Sequence, residues 1–471
     1  MQHDLLALLK PIGQEHLLAQ WGQLDDAQRG RLAQQISDID WQDFARLRRE
    51  HGGTGDDAAA MQQHWAAAAA RSVPPPAIRL GQEPKGFTRE QARQAGAEAL
   101  RAGKVGMILV AGGLGTRLGF DLPKGMFPLG PVSKRTLFQI LIDQLRAVSQ
   151  RSGVRIPLYV MTSPATHDVT QQFLDDNQRF GLPTDDVILF QQGTMYAVDA
   201  QSFNVLLSSP GEIFTGPDGH GGMLAALVKH GVLNDARRRG IEQFFYGQID
   251  NPMLTVCDPE LIGCHRLAKS ELTTQVVAKT DPAEKVGVVV EIDGRTQIIE
   301  YVDLPETASR GRLPDGSLKF WAGNIAVHVF DVAFLERTAS QANALPLHTS
   351  RKKVPFVDSA GQLVEPTAAN AIRFERFIFD LLPHANQALV VEVDKAIAFA
   401  PVKNDDKSPT DSPTTARAAM IALARQLLRA AGAEVVAGVP VEVNPLWALD
   451  AAEAQRKLKP GTKVTAPTYF A

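Results

Sequence analysis

The run from Val110 to Met126 reads Val-Ala-Gly-Gly-Leu-Gly-Thr-Arg-Leu-Gly-Phe-Asp-Leu-Pro-Lys-Gly-Met. Gly112, Gly113 and Gly115 leave the backbone free to pass close to a ligand with its amides exposed. Arg117 adds a planar fork for phosphate oxygens and Lys124 a point charge. Free amides and two cations in one short run suit a polyphosphate. The spacing is not that of a P-loop, because no Gly-Lys-Ser/Thr follows and Thr116 leads into Arg117. Nor does the run open as Gly-x-Gly-x-x-Gly, since Gly112 and Gly113 are adjacent. A plain strand-to-turn junction is the alternative, and the two cations weigh against it.

Together with later blocks, this run resembles the signature of the UDP-sugar pyrophosphorylases, in particular the UDP-N-acetylglucosamine (UDP-N-acetylhexosamine) pyrophosphorylases of eukaryotic type. The blocks are Phe190-Gln-Gln-Gly193, Pro217-Asp-Gly-His-Gly-Gly222, Ile249-Asp-Asn251, Val286-Gly-Val-Val289, Ile299-Glu-Tyr301, Ala322-Gly-Asn-Ile325, Phe377-Ile-Phe-Asp380 and Pro401-Val-Lys-Asn404. Their order and spacing are more specific than any one block, and the likeness runs to about residue 420.

The resemblance implies a uridylyltransferase with UTP and a sugar 1-phosphate as substrates. The sugar phosphate oxygen attacks the α-phosphorus of UTP, giving a UDP-N-acetylhexosamine, UDP-N-acetylglucosamine first, and pyrophosphate. That nucleophile is already an anion, so the site needs charge neutralisation and in-line alignment rather than a strong base. Arg, Lys, backbone amides and one carboxylate meet that need, and no Ser-His-Asp or Cys-His arrangement is required.

By the same resemblance, Arg117 and Lys124 hold the UTP phosphates and the leaving pyrophosphate, and Lys403 reaches them from the far side. Alone, Lys403 would read as a solvated loop lysine. Val110, Ala111, Gly112, Gly113, Gly115 and Thr116 line the nucleotide, and Gln192 and Gly219 read uracil. A glutamine amide offers both a donor and an acceptor to a pyrimidine edge. Asp250, at the end of an apolar strand, matches the Mg²⁺ and phosphate site. Magnesium takes one or two carboxylates with phosphate oxygens and water, so one Asp is sufficient. The alternative for Asp250 is a cap on the turn through Asn251-Pro252.

For the sugar, the family pattern nominates His220, Gly287, Glu300, Asn324 and Phe377, with Gly287 permitting close approach of a bulky 2-substituent. His220 stands where the N-acetylglucosamine enzymes carry Asn, whereas glucose and broad-range enzymes carry Gly-His-Gly there. A UTP-glucose-1-phosphate uridylyltransferase or a broad-specificity UDP-sugar pyrophosphorylase is therefore the second reading. A nucleotide-sugar-dependent glycosyltransferase would be expected to carry Asp-x-Asp, and Ile249-Asp-Asn251 supplies one carboxylate. A non-catalytic UDP-sugar binder would not need Arg117, Lys124, Asp250 and Lys403 together.

The elements that must position these residues follow from apolar periodicity. Strands at 105–110, 156–162, 187–191 and 243–247 alternate with helices at 136–150, 165–179 and 221–239. The expected class is α/β: a Rossmann-like, GT-A-like nucleotidyltransferase with a mostly parallel sheet flanked by helices. Ligands of such sheets lie beyond the carboxyl ends of the strands, where the glycine loop, Gln192 and Asp250 fall. β pieces follow at 273–279, 287–292, 297–302 and 322–329, with a hairpin turn at Asp293-Gly294. Beyond them come a β-like run at 389–399, a polar loop to Arg417, a helix at 415–431 and a strand at 435–443.

Three segments are expected: a helical N-terminal module and linker over 1–100, a catalytic domain over 101–390 and a small C-terminal domain over 391–471. The linker at 73–86 is rich in Pro and Gly, and Thr88 with Gln91 has capping-box spacing for a helix ending near Gly103. The 49 basic and 52 acidic side chains of the 471 residues give a formal charge of −3, which argues against nucleic-acid binding over a basic surface. Cys257 and Cys264 match neither a Cys-x-x-Cys pair nor a zinc site, so two buried free thiols are expected. The first helix is broken by Asp4, Lys10 and Glu15, and no apolar run reaches membrane-spanning length. A cytoplasmic location without membrane partners is the expectation.

Overall fold

A computed structural model of the chain describes residues 1–52, 56–341 and 344–471, and the side chains of 56–61 are outside it as well. Residues 53–55, inside the expected helical stretch, thus lie outside the described residues. The chain divides into two compact units: 1–67, 193–222 and 345–378 form the smaller, and 68–192, 223–344 and 379–471 the larger.

The larger unit is built on ten strands: β1 (Ala77–Ile78), β2 (Val105–Val110), β3 (Leu158–Thr162), β4 (Val187–Gln191), β5 (Gln243–Gln248), β6 (Leu272–Ala278), β7 (Val288–Ile292), β8 (Arg295–Ile299), β9 (Ala322–Asp331) and β10 (Ala388–Glu392). Eight of them run in the order β1-β10-β6-β9-β5-β2-β3-β4, and the β7-β8 hairpin joins through β9. Only β9 runs against its neighbours β5 and β6 within that row; the other five pairings are parallel. β2 and β3 are apolar without alternation because both faces are covered, as parallel strands require. The helix Leu137–Ser152 begins where the Thr136 side chain accepts from the Gln139 N–H and stops at Gly153 in the left-handed region. The hairpin turn has Asp293 and Gly294 both at positive φ, 52° and 77°, as a two-residue turn of this hand demands.

Three expected elements differ. The run 389–399 is strand only to Glu392, because Asp394 accepts the Ala396 N–H and starts the short helix Lys395–Ala398. The expected strand 435–443 is two strands, Glu434–Val435 and Val441–Val443, since Gly438 turns the chain at φ 81° and Pro440 cannot donate to a ladder. The helix expected at 221–239 is a short 3-10 turn, then Met223–Lys229 and Val232–Arg239, interrupted at Gly231.

In the C-terminal part, Pro413–Ala430 begins in a capping box of Ser412 with Thr415 and packs Ala424 and Leu428 against Val435, Val441 and Val464. The strands there pair in parallel, Glu434–Val435 with Lys463–Val464 and Val441–Val443 with Thr468–Phe470.

The smaller unit holds a four-stranded antiparallel sheet in the order His348–Lys352, Ala371–Glu375, Thr194–Asp199, Thr215–Pro217. The N-terminal helices bury Leu9, Leu32, Phe44 and Leu47 against Tyr196, Phe203 and Phe374 of this sheet region. Both cysteines are buried free thiols, and no described helix is long and apolar enough to cross a membrane.

Candidate functional site

In the larger unit, the glycine run leaves the carboxyl end of β2 and folds back on itself. Gly113 O accepts the Lys124 N–H at 2.9 Å, Leu122 O accepts the Gly115 N–H at 2.9 Å, and Leu114 bridges Pro123. The loop thereby fixes Lys124 beside Gly113, although eleven positions separate them in sequence. Gly112 is pressed against Gln192, since a Cβ there would sit 3.0 Å from Gln192 Oε1, whereas the space beside Gly113 is open. Gln192 is buried and its N–H donates to Thr162 O at 2.9 Å, which seats its amide at the end of β4. Val110 and Ala111 close β2, with the Ala111 N–H donating to Met161 O at 2.7 Å. Thr116 and Arg117 lie on the 3-10 turn Thr116–Leu118, both exposed.

Asp250 follows β5 and is mostly buried, with its Oδ2 4.0 Å from Lys124 Nζ. The turn beyond it is capped by its neighbour. Asn251 Oδ1 accepts the N–H of Met253 at 3.2 Å and of Ala400 at 3.2 Å, while its Nδ2 donates to Ala398 O at 2.8 Å. The Asp250 carboxylate is thus left to face Lys124, and the Asp250 carbonyl accepts the Val402 N–H at 2.8 Å. These bonds tie the end of β5 to the segment carrying Lys403. The Lys403 backbone is held in turn by Asp411 O at 2.7 Å. Lys403 and Arg117 line one cavity of about 1180 Å³. A second cavity, of about 480 Å³, is walled chiefly by apolar residues such as Met253, Leu427 and Leu449, and none of the candidate residues lines it.

Gly287, Glu300 and Asn324 meet where β7, β8 and β9 adjoin. The Asn324 N–H donates to Gly287 O at 2.8 Å, and a Cβ on Gly287 would come 2.5 Å from Glu300 Oε1. The room left by the missing side chain is therefore used by the Glu300 carboxylate. Asn324 Oδ1 accepts the Ala326 N–H at 3.0 Å, which leaves its NH₂ as the group it can offer.

In the smaller unit, Gly219 has φ 84° and a Cβ there would come 2.4 Å from Arg376 O, so both its conformation and its surroundings demand glycine. His220 stacks on Phe377 at 5.3 Å between centroids, and His348 covers Phe377 at 4.5 Å. His220 Nδ1 accepts the Ile378 N–H at 3.2 Å, which puts the proton of the neutral ring on Nε2. Burial, helped by His348, pushes its pKa down to about 4, so at neutral pH it is a donor and not a cation.

Asp218, beside Gly219, was not singled out in the sequence. It is 6% exposed, and its Oδ1 has no hydrogen-bond partner among the described residues. Gly193 and Gly222 make room for it: added Cβ atoms would stand 2.6 Å from Oδ2 and 2.0 Å from Oδ1. Burial pushes its pKa up to about 6, with Arg376 pulling the other way. A carboxyl whose folded pKa is raised costs stability once ionised, and that cost is absent below its ordinary value and complete above the folded one. Asp218→Asn is therefore expected to gain stability over the parent as pH rises from 4 to 7, reaching about 2 kcal/mol in urea unfolding. A difference that does not change with pH would contradict the burial of a titrating carboxyl.

Asn251 and His348 were likewise not singled out. Asn251 has a local signal, an amide side chain before Pro252 just past a strand end, but that signal reads equally as turn chemistry around Asp250. His348 has none, since its stacking partner Phe377 lies in a distant segment, just beyond the strand Ala371–Glu375.

A family profile described as UTP--glucose-1-phosphate uridylyltransferase matches residues 65–422. The chain is 35% identical over 431 residues to a human protein named UDP-N-acetylhexosamine pyrophosphorylase-like protein 1, covering 89% of this chain and 84% of that one. It is 36% identical over 356 residues to a UDP-N-acetylglucosamine pyrophosphorylase of Saccharomyces cerevisiae, covering 74% and 75%. Its fold matches the crystal structure of the uridine diphosphate N-acetylglucosamine pyrophosphorylase from Trypanosoma brucei in complex with inhibitor, with a TM-score of 0.77, 24% identity and 98% of each chain covered. With the profile spanning most of its length and relatives above 30% identity over most of theirs, the chain belongs to the UTP--glucose-1-phosphate uridylyltransferase family of nucleotidyltransferases, the UDP-sugar pyrophosphorylases.

Proposed function

We propose that the chain joins UTP to an N-acetylhexosamine 1-phosphate, N-acetylglucosamine 1-phosphate first, releasing pyrophosphate and the UDP-sugar. The observation that carries the reaction class is the convergence of Arg117 and Lys403 on one cavity, with Lys124 held at the end of the adjoining glycine loop. Fixed cations of this kind neutralise charge that builds up on a leaving pyrophosphate. The backbone from Val110 to Thr116 is assigned to the nucleotide, with the Gly115 N–H already committed to Leu122 O, and Gln192 and Gly219 are assigned to its base. Glu300 and Asn324 are assigned to sugar hydroxyls, with Gly287 making room for Glu300; His220 and Phe377 are assigned to the sugar as a donor and a flat wall.

Asp250 is the residue proposed to hold Mg²⁺, sharing it with phosphate oxygens and water. Among the described residues no cluster of three or more metal-ligating side chains exists, so a cation would depend on the substrate for most of its ligands. That suits magnesium, which when bound neutralises phosphate charge. A cytoplasmic location is part of the proposal, supported by the two buried free thiols.

N-acetylated substrates are preferred on the names of the relatives above. His220, where the family resemblance implies Asn for N-acetylglucosamine enzymes, favours the second reading, a glucose 1-phosphate or broad-range enzyme. Pyrophosphate release measured with glucose, galactose, N-acetylglucosamine and N-acetylgalactosamine 1-phosphates separates the two. At least about tenfold higher kcat/KM on the N-acetylated pair is expected, as a site built to hydrogen-bond a group discriminates against its absence. Turnover of the unsubstituted hexoses alone would overturn the sugar assignment.

A further inference from the structure

The cavity shared by Arg117 and Lys403 has a third wall, the loop 280–286 between β6 and β7, and this wall carries Lys285. The loop is locked from inside and outside. Glu284 accepts the N–H of Thr280 at 2.8 Å, the Thr280 hydroxyl at 3.0 Å and the Asp281 N–H at 3.1 Å, and it pairs with Lys395 Nζ at 2.6 Å. Buried Lys279 donates to Pro282 O at 3.2 Å. The Val286 N–H bonds back to Glu284 O at 2.9 Å, so Lys285 stands at the apex of a tight turn.

Charge accounting then separates Lys285 from its neighbours. Lys395 is spent on Glu284, and the other lysine of the wall, Lys407, sits in a loop with Asp405, Asp406 and Asp411. Four carboxylates line the cavity: Asp281 accepts the Ala283 N–H, Asp405 accepts the Lys407 N–H, Glu284 is bound as above, and Asp411 belongs to the turn whose carbonyl oxygen holds the N–H groups of Lys403 and Asn404. Lys285 makes no ion pair or side-chain hydrogen bond among the described residues, and it is exposed to the cavity mouth. A lysine kept unpaired on a stiff turn, facing a cavity already holding an arginine and a lysine, suits an anion with several charges. We infer that Lys285 is a further pyrophosphate-binding residue, which together with Arg117 and Lys403 holds the departing product. This inference rests on the proposed uridylyltransferase reading, and Lys285 lies outside the sequence blocks that support it.

Calorimetric titration of inorganic pyrophosphate into the intact protein tests it directly, with and without MgCl₂. Lys285→Ala is expected to bind about tenfold more weakly, the loss of one charge-assisted contact, while Lys285→Arg stays within about twofold of the parent. In turnover, the alanine variant should raise KM for pyrophosphate in the reverse reaction more than it lowers kcat. Unchanged pyrophosphate affinity in Lys285→Ala overturns the inference, as does a parent protein that binds no pyrophosphate. A parent that binds pyrophosphate, loses affinity on Lys285→Ala and yet forms no UDP-sugar would uphold the anion site and refute the uridylyltransferase reading instead.

Discussion

Arg117→Ala is expected to lower kcat/KM for UDP-sugar synthesis by about 100- to 1000-fold, the usual cost of removing one fixed donor to a developing anion. The effect should fall on catalysis and not on the fold. Arg117 is exposed on a 3-10 turn, and among the described residues its guanidinium makes no ion pair or hydrogen bond. Removing such a group shifts stability by no more than about 0.5 kcal/mol. Arg117→Lys should recover part of the loss, because it restores charge without the bidentate fork. Steady-state kinetics beside a thermal melt check both halves. Full activity in Arg117→Ala would remove the cation from the mechanism.

The second large effect is expected at Asn251, which contacts no substrate in this account. Its side chain is buried and serves two carbonyl-side and amide-side partners across the chain, Ala398 O and Ala400 N, besides its own turn. Asn251→Ala leaves those buried groups without a partner, at a cost of about 2–3 kcal/mol in denaturant unfolding. The same bonds position the segment from Ala398 to Lys403, so kcat should fall about tenfold in molecules that remain folded. Asn251→Asp keeps the acceptor and loses the donor to Ala398 O, and an intermediate loss of stability is expected from it. A variant with parental stability and reduced activity would mean that Asn251 acts on substrate and not on the loop.

The parts of the fold legible in the sequence are those that local pattern dictates. β2, β3 and β4 are short continuous apolar runs, and the helix from Leu137 opens on Thr136 and closes on Gly153, each a local cue. The interleaving of the two units is not local. The strand Thr194–Asp199 pairs with Ala371–Glu375, and nothing in either segment names its distant partner. Where local pattern misled, a single residue decided: Asp394 capped a helix inside a β-like run, and Gly438 with Pro440 broke another.

The site follows the same division. Arg117, Lys124 and Asp250 stand out in the sequence because charge beside glycine, or at a strand end, has few other uses, whereas Lys403 is nominated by the family resemblance alone. Their supports do not stand out. Asn251 works through backbone atoms of residues 398 and 400, which lie on a different segment. Asp218 is notable only once burial shows it between two glycines with an unsatisfied oxygen. The space at Gly287, expected for a sugar substituent, is taken by Glu300, a contact that no spacing rule describes.

Phosphorus-31 spectroscopy of the purified protein with UTP, N-acetylglucosamine 1-phosphate and MgCl₂ follows the proposed uridylyl transfer itself. Equal amounts of UDP-N-acetylglucosamine and pyrophosphate should appear only when both substrates are present, and added pyrophosphate should drive the reaction back to UTP. Release of inorganic phosphate or UDP in place of pyrophosphate, or no turnover with any sugar 1-phosphate, would contradict it.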